Sequence, residues 1–198
     1  EYHQETSLSS TWHEWFVGPE ACVEVLKGPL HEICKSRPWR LQERKALHLG
    51  CGTSLLGVEL ARHPACVEAE LQVVNVDFSA TAIKAMQQAH NGDMMRNQWI
   101  DADVRRMPFP RGSFDLVVDK GTFDAFEACD PLEQGGTETD LQLLCKEVAR
   151  VLKPFADAVW IQFTHTAPEL RLEVLACMLP GEATQGRQYV GVIGVIMC

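Results

Sequence analysis

The sequence predicts an α/β fold, in which a mainly parallel sheet of six or seven strands carries helices on both faces. Short apolar runs alternate with segments whose apolar residues recur at helical spacing, from residue 46 almost to the end of the chain. The first run leads into a Gly-x-Gly turn and then into a helix-like segment, residues 55–62. Strands that alternate with helices form parallel sheets, because each helix crosses one face on its way to the next strand.

Each element has its own signal in the sequence. Apolar composition predicts strands at residues 46–49, 71–76, 98–100, 114–118, 158–163 and 189–197. Helical spacing predicts further helices at residues 19–27, after Ser79, after a capping box formed by Thr137 and Asp140, and at 168–178. Pro154 is expected to end the helix that follows the capping box, because proline has no amide hydrogen for the helical ladder.

The composition is that of one globular domain. The chain has 198 residues, of which 46% are hydrophobic and 23% charged, and no linker or repeat divides it. We therefore expect a single domain, residues 1–198, in which residues 1–27 form an N-terminal arm and helix that cover the ligand pocket. The net charge of −9 argues against a nucleic-acid partner, since phosphate binding needs clustered Lys and Arg.

Cysteine content and hydropathy predict an intracellular protein without a membrane partner. The eight cysteines show no Cys-x-x-Cys pair and no cluster with histidine, so we expect reduced thiols and no metal site. No apolar run reaches the roughly 18 residues that a membrane helix needs. No signal-peptide pattern is present at the start of the sequence.

The Gly-x-Gly turn, Gly50-Cys51-Gly52, predicts a ligand pocket at the end of the first strand. Glycines allow a sharp turn and a close backbone approach to a ligand, beside a helix N-terminus whose amides face it. A dinucleotide fingerprint requires a third glycine three residues later, where this chain has Leu55. A ligand without a phosphate cradle, such as S-adenosylmethionine, is therefore favoured over NAD, and a turn that only connects strand to helix is the remaining alternative.

Three aspartates are expected at the same rim of the sheet. Asp77 closes the second predicted strand, Asp103 follows the third and Asp119 closes the fourth. The carboxyl ends of parallel strands meet at one edge, where open sheets bind their ligands. An acidic residue at the end of the second strand can accept hydrogen bonds from both hydroxyls of a ribose. Their joint position predicts a nucleoside-binding rim.

Five segments resemble the successive motifs of class I S-adenosylmethionine-dependent methyltransferases, which have a Rossmann-like fold. They are Leu-Gly-Cys-Gly-Thr-Ser at 49–54, Val-Asp-Phe-Ser at 76–79, residues 103–109, residues 113–125 and Arg-Val-Leu-Lys-Pro at 150–154. The most specific segment, Asp-Lys-Gly-Thr-Phe-Asp-Ala at 119–125, is similar to the branch that includes the elongation factor 1-alpha and the citrate synthase lysine methyltransferases. Trp-His-Glu-Trp-Phe at 12–16 resembles the aromatic arm of that branch.

The resemblance implies S-adenosylmethionine as cofactor, S-adenosylhomocysteine as product and a set of cofactor-binding residues. Gly50, Cys51 and Gly52 would line the methionine part and Asp77 would hold the ribose. At the adenine, Phe78 would pack on the ring while Asp103 and the Val104 amide would meet its amino group. Trp15 would close over the methionine end, and the Asp119 region would face the reacting methyl.

A lysine acceptor, which the resemblance implies, leads to a hypothesis about the catalytic residues. A lysine amine attacks only when it is deprotonated, so a narrow channel with one or two acceptors would orient it and favour its neutral form. Asp119, with backbone carbonyls of residues 120–122, would supply those acceptors, and Asp124 is the next candidate, with helix capping as its alternative. We expect Lys120 to be structural and paired with a carboxylate.

The chain departs from the family pattern at its first strand and at its end. His48 stands where many class I enzymes have an acidic residue near the cofactor amine, and we expect it to be structural. The segment from residue 179 has room for one strand where the family has a hairpin. These departures leave a non-catalytic binding subunit open beside the protein-lysine methyltransferase, and a small-molecule methyltransferase is the alternative among enzymes. We expect a monomer with a protein substrate in the cytoplasm, or alternatively in the mitochondrion.

Overall fold

The structure, a computed structural model, describes most of the chain and contains the predicted parallel sheet. The described residues are 14, 16–35, 44–93, 96–129, 139–154 and 158–178. Within them the sheet has five strands: β1 Lys45–Leu49, β2 Gln72–Asp77, β3 Asn97–Asp101, β4 Leu116–Lys120 and β5 Val159–Phe163. The predicted strand at 189–197 lies outside the described residues.

The order of the strands places a switch point in the middle of the sheet. All neighbouring strands are parallel and run in the order β3-β2-β1-β4-β5. The chain therefore builds outward from β1 to β3 on one side, then returns to add β4 on the other side of β1. Open α/β sheets bind ligands at the carboxyl ends of the strands beside such a reversal.

Helices cover both faces of the sheet. They are α1 Pro19–Lys35, α2 Leu56–Arg62, α3 Pro64–Glu68, α4 Ala80–Ala89, α5 Thr122–Cys129, α6 Asp140–Val151 and α7 Pro168–Met178. One buried cluster joins β1, β2, β4 and β5 to α1, α2 and α3, and another joins the opposite side of the sheet to α5, α6 and α7. None of these helices is long and apolar enough to cross a membrane.

The prediction that the first helix ends at residue 27 is wrong. Helix α1 continues through Gly28 and Pro29 to Lys35. Leu26, Leu30 and Ile33 are all buried on the face that packs against the sheet. Leu30 and Ile33 lie in the added part, and burial of these two large aliphatic side chains stabilises it by several kcal/mol, on the order of the penalty of about 3 kcal/mol for an internal proline.

Two boundaries near the candidate site are also corrected. The capping box of α6 consists of Thr139 and Gln142, not of Thr137 and Asp140; the Thr139 hydroxyl accepts the Gln142 amide and the Gln142 side chain accepts the Thr139 amide. The fourth strand is Leu116–Lys120 where 114–118 was predicted, so Lys120 closes β4 and Asp119 lies inside it. The Ser79 cap of α4 and the bounds of α7 are confirmed.

Candidate active site

The Gly-x-Gly turn joins the carboxyl ends of β1 and β2. The Cys51 amide donates to the Val76 carbonyl at 2.9 Å, and the Gly52 amide donates to Oδ2 of Asp77 at 2.8 Å. Both glycines have positive φ angles, +53° at Gly50 and +49° at Gly52, which disfavour residues with a side chain. The turn is therefore fixed by backbone contacts to the neighbouring strand.

The two glycines face different surroundings. A Cβ atom at Gly50 would overlap the side chain of Thr122, whose hydroxyl donates to the Leu49 carbonyl at 2.9 Å. A Cβ atom at Gly52 would meet no described atom within 4 Å. Gly50 is thus required for packing between β1 and the start of α5. Gly52 borders an open space in which a ligand can approach the backbone.

Asp77 and Phe78 lie beside this open space. The Asp77 carboxylate accepts the Gly52 amide and, at 2.8 Å, the Ser79 amide. Each carboxylate oxygen keeps a further lone pair, so the group can still accept hydrogen bonds from a ligand. Phe78 is 84% exposed, which leaves a large apolar ring available next to the carboxylate.

Asp103 is held by an arginine that the sequence analysis did not single out. The Arg105 guanidinium makes a two-pronged contact with its carboxylate, with Nη2 at 2.7 Å from Oδ2, and its Nη1 binds Asp140 at 2.7 Å. The hydrogen bond from Arg105 holds the pKa of Asp103 below its usual range. The neighbouring Val104 is buried. The loop after β3 is therefore tied to the start of α6.

Asp119 lies beneath the first turn of α5. Its carboxylate is almost fully buried and accepts the amides of Thr122 and Phe123, at 2.8 Å for Thr122. Burial raises the pKa of Asp119 to about 7, although the two amide hydrogen bonds act in the opposite direction. Its described contacts are those of a helix cap. Its predicted part in catalysis stays a prediction.

Asp124 belongs to a second cluster at the ends of β4 and β5. Its Oδ1 accepts hydrogen bonds from the Thr164 hydroxyl at 2.6 Å and from Nη2 of Arg171 at 2.9 Å, and it lies 3.2 Å from Nδ1 of His165. The guanidinium also stacks on Phe123, with Cζ 4.1 Å from the ring centroid. The sequence did not indicate Thr164, His165 and Arg171, because they lie outside the motifs on which the prediction of the site depends.

Glu14 connects the segment ahead of α1 to the glycine turn. It pairs with Lys120, and its carboxylate also accepts the Ser54 hydroxyl at 2.8 Å and the Leu55 amide at 2.7 Å. The prediction that Lys120 pairs with a carboxylate is confirmed. The partner was not foreseen, although Glu14 lies within the aromatic segment already noted. Trp15 lies outside the described residues.

Comparisons with known proteins identify the family. A family model described as a methyltransferase domain matches residues 47–159. The chain belongs to this methyltransferase-domain family. EEF1A lysine methyltransferase 4 of Mus musculus is 36% identical over 166 residues, which cover 81% of this chain and 57% of that protein. The mitochondrial citrate synthase-lysine N-methyltransferase CSKMT of Pongo abelii is 33% identical over 178 residues, or 82% of this chain and 66% of that protein.

A solved structure gives the same fold. The CMeT domain of the citrinin polyketide synthase has a TM-score of 0.50 and 17% identity, over 67% of this chain and 32% of that one. The match to the methyltransferase-domain family confirms the predicted class of the domain and indicates S-adenosylmethionine as its cofactor. The chain spans between 57% and 66% of the length of these two curated relatives.

His48 has a structural environment in this methyltransferase domain. It is buried, and its Nδ1 lies 3.2 Å from Oδ1 of Asn75, whose amide group donates to Oδ1 of Asn97 at 2.6 Å. Burial lowers the pKa of His48 to about 4, so the ring is neutral at pH 7. The three side chains form a polar ladder across β1, β2 and β3. This arrangement fits the structural role expected from the sequence.

The residues at the rim of the domain supply the kinds of groups that S-adenosylmethionine needs. A nucleoside needs an acceptor for its ribose hydroxyls and an apolar surface for its base, and Asp77 and Phe78 supply these groups side by side. The open space at Gly52 leaves the turn accessible to the methionine part of the cofactor. The Cys51 thiol is buried, and burial raises its pKa, so the turn adds no charge of its own.

Proposed function

We propose that the protein is an S-adenosylmethionine-dependent protein-lysine N-methyltransferase. Lysine as the acceptor is supported by one observation: two curated relatives, similar over four fifths of this chain, are named as lysine methyltransferases. The substrate would be a protein, such as a translation factor or a metabolic enzyme, since these relatives are named for EEF1A and citrate synthase. The net charge of −9 favours basic partners over nucleic acid. The protein would act as a monomer in the cytoplasm, with the mitochondrion as the alternative.

The cofactor would lie across the ends of β1, β2 and β3. Gly50, Cys51 and Gly52 would line its methionine part, because the turn leaves the backbone approachable at Gly52. Asp77 would accept the ribose hydroxyls, since the Gly52 and Ser79 amides already orient its carboxylate. When bound, the cofactor supplies a sulfonium methyl group, which a nucleophile can take by in-line displacement.

The adenine would lie between Phe78 and the loop after β3. The exposed ring of Phe78 offers a stacking face, and Asp103 with the Val104 amide would meet the adenine amino group. Arg105 occupies much of the Asp103 carboxylate, so this contact would use the lone pairs that Arg105 leaves. Trp15 is proposed to close over the methionine end.

The methyl acceptor would approach at the ends of β4 and β5. An ammonium has no lone pair, so the site must remove one proton from the lysine before the displacement. Asp119 and Asp124, in or beside β4, are the proposed hydrogen-bond acceptors that would orient the amine and favour its neutral form, and Asp119 also fixes the Gly121–Thr122 turn through its contact with the Thr122 amide. In-line transfer then depends mainly on orientation and the exclusion of water.

Transfer of label from radioactive S-adenosylmethionine into cell extract tests this function. The wild-type protein should label a discrete protease-sensitive band, whereas the Asp77→Ala protein should label none. The labelled protein is then identified by mass spectrometry, and hydrolysis should yield methyl-lysine. Label that appears only in small molecules, or methylation at a residue other than lysine, would contradict the proposal.

A further inference from the structure

His165 and Asp124 form an oriented pair at the carboxyl ends of β5 and β4. Nδ1 of His165 lies 3.2 Å from Oδ1 of Asp124. The same oxygen accepts the Thr164 hydroxyl at 2.6 Å and Nη2 of Arg171 at 2.9 Å. Arg171 is fully buried, so its bond to the Asp124 carboxylate lies inside the fold. The position of the carboxylate is therefore set by the fold, and the imidazole is the outermost member of the cluster.

The imidazole is exposed at the rim where the acceptor is proposed to bind. His165 has a 63% exposed side chain, while Asp124 is 6% exposed. Its ring lies against Phe16, with a centroid distance of 5.6 Å, and Phe16 in turn packs against Gly121 in the turn after β4. Strand β4 pairs with β1, which leads into the Gly50–Gly52 turn. His165 thus stands two strands from the glycine turn at the same rim.

The contact with Asp124 determines which nitrogen of the neutral ring can accept a proton. An ionised carboxylate 3.2 Å from Nδ1 repels a lone pair on that nitrogen and attracts a hydrogen there, so the neutral ring places its hydrogen on Nδ1. Nε2 then carries the lone pair and points away from the carboxylate, because the two nitrogens lie on opposite sides of the ring. The pair has the arrangement of a histidine base that a carboxylate orients.

We propose that His165 is the general base that takes the proton from the substrate amine, with Asp124 as its positioning residue. This inference rests on the proposed amine-methylating function. One N–H bond of the ammonium breaks and its proton moves to Nε2 of His165. The amine lone pair then forms the N–C bond to the methyl group, while the S–C bond breaks and its electron pair stays on sulfur. The exposed imidazolium releases its proton to solvent, which restores the neutral ring.

The other candidate bases near this rim are less suited to that step. Asp119 is almost fully buried, and its carboxylate already accepts the amides of Thr122 and Phe123. Lys120 is buried and paired with Glu14. Oδ1 of Asp124 already accepts from Thr164 and Arg171 and lies beside Nδ1 of His165, so Asp124 is placed to orient the imidazole and not to take the proton itself. Among the described residues of this cluster, His165 combines exposure with a lone pair directed outward.

Chemical rescue tests the role of His165. The variant His165→Ala should fold and bind S-adenosylmethionine as the wild type does, because the side chain is largely exposed. Its turnover should fall about 100-fold, in the range of general-base contributions. Imidazole in the buffer should restore turnover in a concentration-dependent way. The control His31→Ala removes another exposed histidine, on α1, and should show neither loss nor rescue.

The outcomes separate this inference from the proposed function. Unchanged turnover of His165→Ala, or a loss that imidazole does not restore, would overturn the role of His165 while the wild type still methylates lysine. Failure of the wild type to methylate any amine would instead overturn the proposed function, and with it this inference. Calorimetric binding of S-adenosylmethionine to both proteins provides a readout that does not depend on turnover.

Discussion

Glu14 pairs with Lys120 and so fastens the segment ahead of α1 to the carboxyl end of β4. The lysine side chain is only 2% exposed, and that of Glu14 is 21% exposed. The same carboxylate accepts the Ser54 hydroxyl and the Leu55 amide at the start of α2. A single residue therefore joins the N-terminal segment, the end of the glycine turn and β4 around the rim where the cofactor is proposed to bind.

Replacement of Glu14 by Gln should destabilise the fold by about 3 kcal/mol, because a buried ammonium loses its carboxylate. Denaturation in urea measures the change in the free energy of unfolding. Glu24→Gln is the matched control, since Glu24 pairs with Lys27 in an exposed contact and should change stability by less than about 0.5 kcal/mol. Equal effects of the two substitutions would show that the Glu14–Lys120 pair adds no more to stability than the exposed pair does.

Replacement of Asp77 by Ala should abolish binding of S-adenosylmethionine. The substitution removes the proposed ribose acceptor and also releases the Gly52 and Ser79 amides that it orients. Isothermal titration calorimetry measures the binding directly. Asp101→Ala, at the exposed end of β3, should bind normally. Normal binding by the Asp77 variant would mean that the pocket lies elsewhere.

Replacement of Phe78 by Ser should weaken cofactor binding about tenfold and leave the melting temperature unchanged. The exposed ring adds little to the core, while stacking on a base contributes about 1–3 kcal/mol. Calorimetry measures the affinity for the cofactor, and thermal denaturation measures the melting temperature. Leu170→Ser removes another exposed apolar side chain, on α7, and should affect neither quantity. A drop in melting temperature without a change in affinity would assign Phe78 to the fold instead.

The sheet and its glycine turn could be predicted from the sequence because both depend on local patterns. Apolar runs define β1, β2 and β5 to within one residue, and the capping residue Ser79 predicts the start of α4. Helix α1 was predicted too short because the signal of Gly28 and Pro29 is local, whereas the burial that extends the helix comes from tertiary packing.

The candidate site was predicted only where its residues follow strands in an ordered pattern. Asp77 could be placed because it ends a strand that pairs with β1. Glu14 and Lys120, in contrast, are separated by 106 residues, and no spacing rule relates them. His165 was missed because a histidine after a strand is uninformative until Asp124 is seen beside it.

The Asp119 carboxylate should make the stability of the protein depend on pH. Burial raises its pKa in the folded state from 3.8 to about 7. The folded state therefore binds the proton more tightly than the unfolded chain does, and the sign follows from this difference. Stability from this group is fully present below about pH 4 and is lost as the pH rises through about 7. The loss amounts to as much as about 4 kcal/mol.

Replacement of Asp119 by Asn isolates this contribution, because asparagine does not titrate. The free energy of unfolding of the wild type, minus that of Asp119→Asn, should decrease between pH 4 and pH 8 in urea denaturation series. Asp101→Asn, an exposed substitution at the end of β3, should give a difference that stays nearly constant over this range. A constant difference for Asp119→Asn would show that the carboxyl group of Asp119 titrates alike in the folded and unfolded chains.

The same variant tests the predicted catalytic role of Asp119. A folded Asp119→Asn protein with unchanged turnover would restrict Asp119 to capping α5.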